Sequence, residues 1–209
     1  MSEMSNTFAE QASVLVEVAT TLHARGLLQG TSGNLSAVVN PQPLELAITP
    51  SGADKGQLNT SDILAIDENC KLLNVVGGKP SDESPLHVAV VKTRKAGAVI
   101  HTHSVWATIL SNLYFPAGGV KIEGYEMLKG LHGVNSHEHG EWIPILDNSQ
   151  DMTALASAVD ETLQINSDAH AFLLKRHGLY TWGRDLREAR RHVEILEFLF
   201  EAVGRVSGL

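Results

Sequence analysis

A chain of 209 residues with 43% hydrophobic and 19% charged side chains can bury a substantial core, which excludes a disordered or low-complexity protein; one domain over residues 1–209 is expected. A formal charge of −8 removes any broad positive field for nucleic acid or anionic lipid, so an anionic ligand would have to be held by a local device. Cys70, the single cysteine, cannot close an internal disulfide, the opening "MSEMSNTFAEQ" lacks the pattern of a signal peptide, and no apolar run approaches the roughly 20 residues that cross a bilayer, so the cytoplasm is the expected location.

Thr7 and Glu10 have capping-box spacing, and Ala12, Leu15, Val18, Ala19 and Leu22 keep a helical stripe until Gly26. "NLSAVV" and "LELAIT" then read as strands either side of the turn "NPQP", with "DILAID" and "KLLNVV" as two more. A helix is predicted from Pro85 to about Ala96, followed by a strand at "AVIHTH" and a helix at "SVWATILSN" capped by Ser104. A short helix around Tyr125 to Leu131 precedes the strand "EWIPIL" and the helix "DMTALASAVDETLQ". "AFLLKRHGLYTWG" reads as two strands meeting at a tight turn, and "DLREARRHVEILEFLFEAV" as a long helix started by Asp185. Clustered strands with helices at several points predict a mixed sheet covered on both faces.

In a strand, His101 and His103 of "HTH" point to one face and Thr102 to the other, so the two imidazoles can share an ion; the competing reading is one exposed and one hydrogen-bonded core histidine. His177 in "KRHGLYTWG" is the best third ligand, beside a glycine, Gly178, that permits a sharp reversal. The equally spaced pair His137 and His139 lies in polar surroundings and reads as surface loop, and His23, His132, His170 and His192 have no evident partner. Three histidines leave coordination positions open for water or substrate, whereas a structural zinc site usually fills all four, often with cysteine; any metal here is expected to be catalytic.

"QGTSGNLS" and "ITPSGADKG" combine glycine with hydroxyl side chains, a composition whose backbone N–H groups can cradle a phosphate without net positive charge. Neither matches a nucleotide-binding glycine motif. Each alone also fits an ordinary turn.

The ordered set "QGTSGNLS", "ITPSG", "KPSDESPLH", "VIHTHS" and "KRHGLYTWG" resembles the class II aldolase/adducin family across most of the chain, and "EGYEMLKGL" is most similar to its methylthioribulose-phosphate dehydratase branch. The resemblance implies a three-layer α/β/α fold around a mixed, largely antiparallel sheet, a homotetramer, and one zinc ion (Zn2+) per subunit on His101, His103 and His177. It implies that Gly33, Asn34, Ser51, Gly52 and Ser81 lie near the phosphate of a sugar 1-phosphate. Glu83 falls where family aldolases carry a metal-proximal catalytic glutamate, and Glu126 where the dehydratases place their general acid/base. Two positions depart from the aldolase pattern: Asp82 replaces a common second serine, and the ending "GRVSGL" has no late tyrosine.

The reaction so implied is loss of water from 5-methylthioribulose 1-phosphate in methionine salvage, with zinc as Lewis acid and Glu126 taking the C3 proton, Glu83 being second choice for that role. A sugar-phosphate aldolase or epimerase acting on fuculose or ribulose phosphates, and a non-catalytic adducin-like scaffold, are the alternatives. Tyr114, Phe115 and Trp106 could line an apolar wall for the thioether, although core packing is their simpler role.

Overall fold

In the computed structural model, residues 7–74 and 77–208 are described. Their strands are β1 (Asn34–Pro41), β2 (Leu44–Ile48), β3 (Leu64–Asp67), β4 (Ala98–Thr102), β5 (Gly119–Glu123), β6 (Gly140–Leu146), β7 (Ala171–Leu174) and β8 (Gly178–Gly183), joined in the order β3-β2-β1-β4-β8-β7-β6-β5. Neighbours are antiparallel except β6 and β7, whose parallel pairing uses α4 (Met152–Ile165) as its crossover. The remaining helices are α1 (Phe8–Ala24), α2 (Ser84–Arg94), α3 (Val105–Leu113) and α5 (Leu186–Val206).

Alternation along the strands sorts the side chains into two cores. Val99, Phe172, Tyr180 and Trp182 face Leu86 and Val90 of α2 and Leu155, Val159 and Leu163 of α4. On the other face, Ala98 and Ile100 meet Leu15 and Ala19 of α1 and Val193 of α5, while Leu173 and Leu179 meet Leu110 of α3 and Leu199 of α5. Each such leucine, removed from water, contributes about 1.5–3 kcal/mol. The result is the expected three-layer α/β/α arrangement around a mixed, largely antiparallel sheet.

Local signals explain where the helices begin. Thr7 and Glu10 form a reciprocal capping box, and the five predicted stripe residues of α1 are its buried ones. Ser104 accepts from the Ala107 N–H, Asp151 from Thr153 and Ala154, and Asp185 from Glu188, each satisfying donors that a helix start leaves free.

The chain departs from the sequence expectations at four places. The described part of "KLLNVV", residues 71–74, is not a strand: Leu72 makes one isolated bridge to Ile66 and Leu73 is half-exposed, while Val75 and Val76 lie outside the described residues. The segment after Tyr125 is a 3-10 helix, Glu126–Gly130, instead of an α-helix. β5 is an unpredicted edge strand that buries Val120 and Ile122 and exposes Lys121 and Glu123. In the β7–β8 turn the left-handed residue is Arg176 (φ 56°), not Gly178. Gly178 is required for space, since a Cβ there would sit 2.0 Å from the Thr102 carbonyl oxygen and 3.2 Å from His101 Cε1.

Candidate metal centre

The central strands β4 and β8 deliver the site. His101 pairs across the ladder with Tyr180, and its ring stacks on that tyrosine with centroids 4.0 Å apart. Thr102, on the opposite face, turns its hydroxyl toward Glu197 of α5. His103 lies one residue beyond β4, where its N–H leaves the ladder to meet the Leu27 carbonyl, yet its ring returns to the His101 side. His177 comes from the turn entering β8.

The three Nε2 atoms converge: His103 to His101 is 2.8 Å, His177 to His103 is 3.0 Å and His177 to His101 is 3.3 Å. Glu83 Oε1 lies 3.1 Å from His177 Nε2 and 3.6 Å from His101 Nε2. The four donor atoms fall within 4.8 Å of one another. His101 Nδ1 donates to the Leu179 carbonyl at 2.9 Å, which leaves its Nε2 as the lone-pair atom of a neutral ring; His177 Nδ1 is 3.3 Å from Asn148 Oδ1. Imidazole lone pairs and a carboxylate brought this close repel unless a cation sits among them, so the donor set fits a divalent metal.

The electrostatics agree with that fit. Burial pushes the His101 imidazole well below its ordinary value against the pull of Glu83, and burial brings His103 down to about 4. For Glu83 burial acts upward, but contact with the His177 ring, the charge of the neighbouring imidazoles and the Asn34 amide outweigh it and hold the carboxyl below the usual carboxylate range.

Glu83 is the residue that precedes α2, yet it makes no cap; its Oε2 accepts from Asn34 Nδ2 at 2.7 Å. The same amide reaches Ser81 Oγ at 3.2 Å, and Asn34 Oδ1 meets the buried His87, whose other nitrogen is 2.7 Å from Ser36 Oγ. A buried chain of hydrogen bonds, Ser36–His87–Asn34–Glu83, thereby orients the carboxylate. Residue spacing does not single out His87, although it closes the motif "KPSDESPLH".

Of the five residues expected at a phosphate, Asn34 and Ser81 stand in this network and Gly33 adjoins it: a Cβ on Gly33 would lie 2.7 Å from the His101 carbonyl oxygen. Ser51 is tied to the same loop through its N–H to Lys79 O at 2.9 Å, and Gly52, at φ +71°, faces open space. Lys55 is an addition that the sequence motifs do not reveal. Its side chain is 1% exposed, and its Nζ donates to Thr31 O at 3.0 Å and Ala53 O at 2.9 Å, so one buried cation bridges the two glycine-rich loops.

Glu126 is not brought to the histidines within one chain. Its carboxylate is exposed and pairs with Lys129 at 2.6 Å, with His137 Nδ1 at 3.9 Å. Tyr114, Phe115 and Trp106 pack against the core.

Several histidines expected to lack partners have them. His23 meets Asp54, His132 meets Glu188, and His192 donates to the Trp182 carbonyl. His139, read as surface, and His170 both contact Glu141.

Among the described residues no helix is long and apolar enough to cross a membrane. The family model described as Class II Aldolase and Adducin N-terminal domain matches residues 13–203. A protein named methylthioribulose-1-phosphate dehydratase from Pseudomonas fluorescens (strain Pf0-1) is 42% identical over 95% of this chain and 94% of its own length. One of the same name from Methylococcus capsulatus is 38% identical over 97% of both. The crystal structure of L-fuculose-1-phosphate aldolase from Thermus thermophilus, 24% identical, superposes with a TM-score of 0.72 over 93% of this chain and 94% of that one, a likeness of fold. The chain belongs to the class II aldolase and adducin N-terminal domain family, with strong likeness to the methylthioribulose-1-phosphate dehydratases.

Proposed function

We propose that the chain is a zinc-dependent hydro-lyase that converts 5-methylthioribulose 1-phosphate to 5-methylthio-2,3-dioxopentyl phosphate and water, a step of methionine salvage. The observation that carries this reading is the convergence of His101, His103, His177 and Glu83 in a chain with end-to-end similarity to proteins of that name. A zinc ion bound there would supply Lewis acidity at the substrate's ketone oxygen and so acidify the adjacent C3 proton.

The chain's own groups do the rest. Glu126 takes the C3 proton and returns it to the departing C4 hydroxyl, which leaves as water; the enol then becomes the diketone. Because Glu126 is exposed and apart from its own histidines, it serves the site of a neighbouring copy in a homotetramer. Glu83, held ionised by the neighbouring His177 and His101 rings and oriented by Asn34, is the in-chain alternative for the same proton.

Gly33, Asn34, Ser51, Gly52 and Ser81 hold the 1-phosphate, and Lys55 beneath the two loops provides local positive charge in a protein of net charge −8. Lys55→Met is expected to raise KM about tenfold, or ~1.4 kcal/mol, while kcat changes less. Steady-state kinetics beside a thermal melt check this; an unchanged KM in a folded variant would remove Lys55 from phosphate binding.

Product analysis tests the function. Zinc-loaded protein given methylthioribulose 1-phosphate should yield the diketone. Cleavage into two carbonyl fragments would mean an aldolase, inversion at C4 an epimerase, and no turnover with no bound metal a scaffold.

A further inference from the structure

At the end of β7 and β8 opposite His177, a second group of ligand-type side chains gathers beside an open cleft of about 610 Å3, whose wall His139 and His170 line. Glu141, at the start of β6, is 1% exposed, and its Oε2 lies 2.8 Å from His139 Nε2 and 3.0 Å from His170 Nδ1. We propose that His139, Glu141 and His170 form a second divalent-metal site, of the zinc class, separate from the three-histidine centre.

Three features carry it. Both ring nitrogens approach one carboxylate oxygen, and the three donor atoms lie within 4.8 Å, a separation that a single ion can span. Outer contacts fix His170 and Glu141 in the manner of a metal's supporting shell: His170 Nε2 donates to the His132 carbonyl at 2.8 Å, leaving Nδ1 to face the ion, and the His170 backbone N–H holds Glu141 Oε1 at 2.9 Å. The ligand set is also open on the cleft side, where His132 and His192 line the wall and water can complete the coordination.

Two imidazoles and a carboxylate suit Zn2+, Co2+ or Fe2+ over Mg2+ or Ca2+, which prefer all-oxygen shells. An ion there would tie the loop that follows the Glu126 3-10 helix to the ends of β6 and β7, because His139 closes that loop. The competing arrangement is a metal-free imidazolium–carboxylate pair between His170 and Glu141, with His139 as a second donor.

The full-length protein, loaded with Zn2+ and freed of excess by gel filtration, should carry two ions per chain, and His139→Ala one. His101→Ala should also retain one, and a Zn2+ titration against a chromophoric chelator should find that ion lost in His101→Ala/His139→Ala. His139 is chosen because its partly exposed ring can be removed with little loss of packing. If His101→Ala does not fold, the comparison of wild type with His139→Ala decides alone. Equal metal content in the wild type and His139→Ala overturns the proposal. Neither readout depends on turnover, so a failed dehydratase assay leaves it standing.

Discussion

His101→Ala should purify without the ion of the three-histidine centre and lose about a thousandfold or more in turnover, because it removes the ligand most deeply held by the sheet. Direct metal analysis and a product assay check the two halves separately. Retention of full metal at that centre would mean that His103, His177 and Glu83 suffice, and would demote His101 to packing against Tyr180. The fold should survive, since the cores that α1, α3 and α5 bury lie on the sheet face opposite the ring.

Glu126→Gln should keep that metal yet lose about 10²–10⁴ in kcat, the usual contribution of a positioned acid/base. Its exposure gives this prediction a second arm. If each copy lends Glu126 to a neighbour, inactive Glu126→Gln and inactive His101→Ala, dissociated and reassembled together at equal amounts, should recover about a quarter of wild-type activity, because random neighbours restore one site in four. No recovery on mixing, with an active Glu126→Gln and a dead Glu83→Gln, would transfer the proton to Glu83. Recovery tests the shared site without needing the structure of the assembly.

Much of this is readable from residue order. The stripe and cap of α1, the caps Ser104, Asp151 and Asp185, and the period-2 placement of His101 against Thr102 are local signals, and local signals survive without knowledge of the fold. β5 escapes prediction although Val120 and Ile122 alternate with Lys121 and Glu123, because four residues after a glycine pair give little pattern. "KLLNVV" misleads for the opposite reason: its described residues, 71–74, meet the edge strand β3 in one isolated bridge and extend into no ladder.

The site divides in the same way. His177 is legible beside Gly178, whereas Lys55 is not, because a lysine reads as solvated until the carbonyls of Thr31 and Ala53 close over it. Likewise His139, Glu141 and His170 meet only because β6 and β7 run side by side, a parallel pairing that residue spacing does not announce. Glu126 sits in a recognisable motif, and the folded chain points its carboxylate to solvent beside Lys129.

The hydrogen bond from His101 Nδ1 to the Leu179 carbonyl has a wider consequence. That carbonyl belongs to β8, the neighbour with which β4 forms its ladder, so formation of the sheet and selection of the imidazole tautomer are one event. The orientational entropy of this ligand is surrendered during folding, before any ion arrives. Folding of the sheet itself therefore sets the orientation of His101, and binding an ion need not spend that rotamer freedom again.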